Sequence, residues 1–248
     1  MRFYMQGMDV RSGLERQLRR QSLWLKESWH YLLRTKVLAG APRSRALDVG
    51  CGPGYVLDAL SPIMDIAGVD IDPDMVAMGK ARGLAICEGA AERLPFDNAS
   101  FDVVYCSYLV LWLKDPERAL KEMKRVSGGW VLCLAEPDYG GRLDHPGTLG
   151  DLRDIIAAGI RRQGGDPFIG RKLRHLFRRC GMEAEIGVHP GVWNIARLTQ
   201  EFDDEWRLVA ELSGPEAELQ KFYDAWKAAL ADGSLFQYNP VFYALARK

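Results

Sequence analysis

From Ala46 to Gly54 the chain reads Ala-Leu-Asp-Val-Gly-Cys-Gly-Pro-Gly. An apolar run carries one acid, Asp48, and then places glycine at the alternate positions Gly50, Gly52 and Gly54. A buried strand that feeds a glycine turn and then a helix produces this pattern. Without side chains at the turn, backbone can approach a ligand closely, and the following helix presents free N–H groups to it. The stretch therefore reads as a cradle for a nucleoside-type molecule, and it constrains the fold around it.

The surrounding pattern is consistent with that reading. Short apolar runs are expected as strands at Arg45–Val49, Ile66–Asp70, Leu84–Glu88, Phe101–Cys106 and Trp130–Glu136. Helical patterns lie between them: Tyr55–Leu60, then Pro73–Arg82 with Asp72 as N-cap, then a helix capped by Asp115 and opened by Pro116. Continuous apolar strands separated by helices predict a parallel sheet covered on both faces. Before this core, Ser12 is expected to cap a helix running to about Leu38. After it come a glycine-rich loop over 138–150, a helix to about Gln163, a basic helix from Gly170 to Cys180 and a strand over Met182–His189. Two aromatic-rich helices, Thr199–Leu212 and Pro215–Ala231, and a last strand, Val241–Ala246, complete the chain. The expected architecture is an α/β, doubly wound, mostly parallel seven-stranded Rossmann-like sheet with N-terminal and C-terminal helical additions. It forms one domain of 248 residues: a helical lid over 1–40, a cofactor-binding core over 41–137, and substrate-side additions with the last strands over 138–248.

Composition excludes some partners. Lys and Arg number 33 and Asp and Glu 33, so no overall field draws the chain to nucleic acid or a membrane surface. The five cysteines form no Cys-x-x-Cys pair and read as reduced thiols. Arg11 to Lys26 is too charged for the apolar core of a signal peptide, and no apolar run reaches membrane-spanning length. The expected location is the cytoplasm. No metal site is expected.

Asp70 ends the second strand, about 20 residues beyond the glycines, where a carboxylate can accept hydrogen bonds from both hydroxyls of a ribose. Such charge-assisted bonds are worth about 1.5–3 kcal/mol. A nicotinamide dinucleotide calls for Gly-x-Gly-x-x-Gly with a pyrophosphate over the helix. Here the spacing is Gly-x-Gly-x-Gly, and Asp48 would repel a pyrophosphate but attract a cation. That favours S-adenosylmethionine, which carries an ammonium and a sulfonium.

Four segments then carry a resemblance. They are Leu47–Gly54; Gly68-Val69-Asp70-Ile71-Asp72-Pro73-Asp74-Met75; Gly89-Ala90-Ala91-Glu92-Arg93-Leu94-Pro95-Phe96; and Phe101-Asp102-Val103-Val104. In order and spacing the chain resembles class I S-adenosylmethionine-dependent methyltransferases of the type-11, ubiquinone/menaquinone-biosynthesis-like superfamily. The resemblance covers roughly Arg45 to Glu136 and leaves the substrate open. It implies that Gly50, Cys51, Gly52, Gly54 and Tyr55 surround the methionine and ribose parts of the cofactor with Asp48 nearby. It further implies that Asp70 holds the ribose, that Ile71, Ala91 and Glu92 lie along adenine, and that Ser107 meets the methionine end. The product would be S-adenosyl-L-homocysteine. One departure is Ala90, where many relatives carry an aspartate facing the adenine amino group.

The acceptor side is less legible. Tyr4, Tyr108, Trp112, Tyr139 and His145 are candidates to touch the substrate, with His145 the one candidate for a catalytic role. His30, His175 and His189 read as structural or surface residues. After the fourth strand stands Cys106-Ser107-Tyr108-Leu109 in place of the Asn/Asp-Pro-Pro-Tyr/Phe of amino-methyltransferases, and the Pro-Cys pair of base-C5 methyltransferases is missing. The expected reaction is methyl transfer to a small molecule. The alternatives are an RNA or protein methyltransferase using the arginine-rich 161–179 segment, and a non-catalytic cofactor-binding protein. The aromatics Phe168, Trp193, Phe202, Trp206, Phe222 and Trp226 either line an apolar acceptor pocket or pack the added helices.

Overall fold

The computed structural model describes residues 8–38, 43–213 and 219–248. Strands β1 (Arg45–Val49), β2 (Asp65–Asp70), β3 (Ile86–Glu88), β4 (Phe101–Ser107) and β5 (Ser127–Pro137) run parallel. Seven strands form the main sheet. Beyond β5 its order continues through β9 (Val241–Arg247), antiparallel, to the edge strand β7 (Ala184–Val188), giving β3-β2-β1-β4-β5-β9-β7. Chain direction through the sheet reverses between β1 and β4. Their carboxyl ends therefore part around a crevice, where ligands of open α/β sheets bind.

The strands are apolar on both faces because both faces are covered. Leu47, Val49, Val104 and Val131 pack toward α5 (Pro116–Val126) and α7 (Leu173–Arg179). Ala46, Val103, Tyr105 and Leu132 face α3 (Tyr55–Leu60) and α4 (Pro73–Ala81). Local signals set the helix starts: Asp72 accepts from the Asp74 N–H at 2.9 Å and Asp115 from the Arg118 N–H at 3.0 Å, each followed by proline at the first helical position.

Three expectations are corrected. The N-terminal helix starts at Met8, so Ser12 lies inside it. It also breaks at Leu25 into α1 (Met8–Trp24) and α2 (Lys26–Leu32), which runs on as a π-helical turn over Leu33–Val37. The break lets α2 turn against the sheet, where Trp29 is fully buried and its indole N–H donates to the Leu134 carbonyl at 3.2 Å. β5 begins at Ser127, ahead of the expected Trp130, and takes in Gly128 and Gly129. A Cβ on Gly129 would sit 2.7 Å from the Asp102 carbonyl oxygen, so that glycine serves close strand packing. Finally, β6 (Leu143–His145) and β8 (Phe236–Tyr238) form a separate two-stranded sheet inside what reads as loop. The additions are completed by α6 (Leu152–Arg162), α8 (Ile195–Ser213) and α9 (Gln220–Ala231). Among the described residues no helix is long and apolar enough to cross a membrane.

Candidate active site

The glycine turn after β1 has positive φ at Gly50 (70°), Gly52 (54°) and Gly54 (84°), a region that L side chains rarely occupy. Space adds a second constraint: a Cβ on Gly50 would lie 2.6 Å from Leu109 Cδ1. The turn is tied to the next strand. Gly50 and Cys51 donate to the Val69 carbonyl, and the Gly52 N–H donates to Asp70 Oδ2 at 2.7 Å. Asp70 Oδ1 accepts from the Asp72 N–H at 2.9 Å. Asp70 thus holds the turn in shape while each of its oxygens keeps a further lone pair for a ligand diol. Burial raises its pKa against the pull of those N–H donors. Cys51 fills the space beside Gly68, and burial pushes its thiol far up, so it is no nucleophile.

Asp48 is the acid that the sequence singled out, and it is buried at the end of β1 with Oδ2 lacking any hydrogen-bond partner among the described residues. The adjacent Tyr105 hydroxyl interacts with it, but short of good hydrogen-bond geometry, and that oxygen is likewise unsatisfied. Burial, with Asp70 adding to it, pushes Asp48 well above the ordinary carboxylate range. Nearby, Ser107 Oγ is also buried without a partner. Orphaned buried polar atoms are costly and call for a ligand. An unpaired carboxylate oxygen fits an ammonium or sulfonium and opposes a pyrophosphate.

These groups share a cleft of ≈ 310 Å³ at the β1/β4 switch point. Asp48, Gly50, Cys51, Gly52, Tyr55, Asp70, Ile71, Ala91, Glu92 and Ser107 all line it. Gly54 does not: a Cβ there would meet Leu84 Cδ1 at 2.4 Å, so its role is to let α3 start close to the chain before β3. Ile71 is exposed on the rim. Leu18 and Gln21 of α1, within the segment expected as a lid, also line the cleft.

Comparison with known proteins agrees. Residues 47–133 match the family described as "Methyltransferase domain", type 11. That match takes in β1 to β5 and the turns that line the cleft, about a third of the chain. The chain is 36% identical over 161 residues to a malonyl-[acyl-carrier protein] O-methyltransferase of Herminiimonas arsenicoxydans, a match covering 62% of this chain and 61% of that one. It is 34% identical over 128 residues to a demethylmenaquinone methyltransferase of Bacillus cytotoxicus, covering 46% and 52%. The matches thus span between half and two thirds of the length of these relatives. The fold is shared with the YcgJ protein of Bacillus subtilis, with a TM-score of 0.57 at 18% identity over 90% of this chain and 98% of that one. S-adenosyl-L-methionine is the cofactor of this domain family, and the residues of the cleft fit it.

Two further cavities, one of ≈ 150 Å³, share Tyr108 with the cofactor cleft. Tyr108 lines all three spaces and has φ +54°, a strained conformation for a tyrosine. Glu136, the buried acid that ends the apolar part of β5, holds this turn. Its carboxylate accepts the N–H groups of Leu109 (3.1 Å), Val110 (2.9 Å) and Leu111 (3.2 Å). Burial outweighs these donors and raises its pKa to about 8. A charge at the end of a buried run was the available signal for Glu136, and it was missed.

Of the expected substrate residues, Tyr108 and Tyr139 line the ≈ 150 Å³ cavity, and Trp112 lines its neighbour. His145 lies on β6, exposed, and lines none of these cavities. Tyr4 falls outside the described residues, as does Phe3. Arg20, Arg142 and Glu205, none of them anticipated, come from α1, the segment before β6, and α8 to form charged walls. The aromatics divide. Trp193 meets Trp24 edge-on at 5.1 Å at the cavity, whereas Phe202, Trp206 and Trp226 cluster with Tyr223 to pack α8 on α9.

Part of the basic run is paired locally. Arg171 makes a two-pronged pair with Asp138 at 2.6 and 2.7 Å and stacks on Phe168. Lys172 pairs with Asp166, Arg178 with Glu183, and Arg179 with Glu117. Arg162 donates to the Leu212 carbonyl.

Proposed function

We propose that this chain moves the methyl group of S-adenosyl-L-methionine to a small-molecule acceptor by in-line displacement. The observation that carries this reading is that two neighbouring spaces share Tyr108 as a wall: the cleft walled by the unpaired Asp48 carboxylate, and the cavity lined by α1 and α8. When bound, the cofactor supplies an activated methyl group and its own leaving group. The protein's part is positioning. Asp48 attracts the cationic end, Asp70 fixes the ribose, Ser107 offers its hydroxyl to the amino-acid end, and α1 excludes water. Holding two reactants in line contributes on the order of 7–11 kcal/mol. Two relatives whose names specify methyl transfer support the reaction class.

The carboxylate partners of Arg171, Arg178 and Arg179 argue against an RNA-gripping surface, since those countercharges must be displaced before a phosphate can bind. The open cavity argues against a closed, non-catalytic module. In calorimetry, S-adenosylmethionine and S-adenosylhomocysteine are expected to bind and NAD is not. Comparable NAD affinity would overturn the proposal.

A further inference from the structure

Tyr105 is a tyrosine where the packing asks only for an apolar ring. It lies on β4, in the centre of the main sheet, fully buried in one core cluster with Ala46, Val103, Leu132 and Leu134. Phenylalanine would fill that volume, and a buried phenol usually finds a hydrogen-bond partner. The Tyr105 hydroxyl has none among the described residues. The fold by itself gives this oxygen nothing to do.

Strand register places a complement beside it. β1 and β4 pair in parallel with Asp48 opposite Tyr105, so the two side chains leave the same face of the sheet as neighbours. Asp48 is also buried, and its Oδ2 is likewise unpartnered. Cys51, the other titratable group that the phenol feels, turns its thiol to the Gly52 carbonyl. A donor and an acceptor thus stand side by side, both unspent. Asp48 lines the cofactor cleft and Tyr105 does not. An ionised carboxylate accepts about twice as strongly as a neutral group. The strong acceptor that the phenol lacks therefore appears when a cation in the cleft favours the ionised form of Asp48.

We propose that Tyr105 is a positioning residue for the cofactor: in the loaded cleft its hydroxyl donates to Asp48 and holds that carboxylate ionised and directed at the ammonium of S-adenosylmethionine. This rests on the assignment of Asp48 to the cationic end. It accounts for two neighbouring oxygens that are both unsatisfied in the free protein, because the bond between them belongs to the loaded state. Burial raises the pKa of both groups, and at Asp48 the phenol works against burial. The other titratable groups that Asp48 interacts with are Asp70 of β2, Cys51 of the turn and Cys106 of β4, and a Tyr105 variant keeps all three.

The test is calorimetry on the full chain with two probes. S-adenosylhomocysteine carries the ammonium; 5′-methylthioadenosine keeps the adenosine and lacks the amino-acid end. Tyr105→Phe should weaken S-adenosylhomocysteine about tenfold, the scale of one hydrogen bond to a charged group. Methylthioadenosine affinity should stay within about twofold, and so should S-adenosylhomocysteine affinity when Tyr105→Phe is added to Asp48→Asn, as for uncoupled sites. On acidification S-adenosylhomocysteine affinity falls as Asp48 takes up a proton. In Tyr105→Phe that fall should begin at higher pH, since the donor favouring the ionised form is gone. The denaturant midpoint of the free variant should match or exceed the parent's, because the hydroxyl bonds nothing there. Unchanged S-adenosylhomocysteine affinity, equal losses on both probes, or an equal loss in the Asp48→Asn background would overturn the proposal. So would a fall beginning at the parent's pH, or a free variant that is less stable or unfolded. Failure of S-adenosylhomocysteine to bind the parent would instead remove the cofactor assignment, and unchanged affinity in Asp48→Asn alone would remove the role of Asp48.

Discussion

Asp48 shows how one residue can select a ligand. Its neighbours do not neutralise it, its Oδ2 has no partner, and burial raises its pKa. In the free protein it is a liability, because a buried carboxylate without a counter-ion is costly. It becomes useful when a cation occupies the cleft. Asp48→Asn retains the shape and removes the charge. The variant should fold at least as stably as the parent and bind S-adenosylhomocysteine about 10–100-fold more weakly, the range for one hydrogen bond to a charged group. Calorimetry on both proteins at one pH decides this, and equal affinities would mean that Asp48 serves the fold alone. Asp70 is a poorer site for the same experiment. Its carboxylate also holds the Gly52 N–H, so truncation would disturb the turn along with the ligand contact.

At the level of elements, α1 joins the two halves of the site. Leu18 and Gln21 cover the cofactor cleft, while Gln17, Gln21 and Trp24 line the acceptor cavity. Arg20 clasps α1 to α8 through Glu201 and Glu205, with Asp204 at 3.6 Å. Arg20→Ala leaves three carboxylates facing one another. Backbone amides of residues 13–24 should then exchange with solvent at least about tenfold faster, as expected for a local opening that loses one or two kcal/mol, with β4 and β5 amides unchanged. Unaltered exchange in α1 would show that apolar packing alone holds it. The clasp also marks the limit of what the sequence discloses. β1, β2, β4 and β5 were readable because strands buried on both faces must be apolar throughout, and Asp72 and Asp115 were readable as caps because capping is local. The residues expected to hold the cofactor lie on contiguous turns after those strands, and nearly all of them line one cleft. β6 and β8 pair residues about 90 positions apart over three residues each, too short for a period to register. Arg20, Arg142 and Glu205 meet only because α1 and α8 fold over the same strand ends, and no spacing within any one segment records that meeting.

Across the whole molecule, buried and half-buried acids gather at the carboxyl ends of the strands and under α1. Asp48, Asp70, Glu136 and Glu205 all have raised pKa values, burial being the first cause in each. Glu136 sets the size of the effect, since its folded value of about 8 stands against an ordinary glutamate value of 4.5. The folded protein thus binds a proton at Glu136 that the unfolded chain has released between those two values. Its contribution to stability is full below pH 4.5, falls as pH rises, and is lost above about pH 8. His189 acts in the opposite sense, because burial lowers its pKa and its charging on acidification works against the fold. Comparing Glu136→Gln with the parent cancels His189 and the other acids. The variant loses one good acceptor for the Leu109–Leu111 N–H groups and should be less stable at pH 5, by about 1–3 kcal/mol. Between pH 5 and 8 the parent should lose stability relative to the variant by up to about 1.4 kcal/mol per pH unit, so the gap narrows and can reverse. Denaturant unfolding of both proteins at several pH values measures this, and parallel pH profiles would show that Glu136 titrates as an ordinary carboxylate. Bound S-adenosylhomocysteine should add to stability at every pH, by about 2.7 kcal/mol at a hundredfold excess over Kd. Its increment should grow as pH rises, because its ammonium favours the ionised form of Asp48, the form that costs the free protein most.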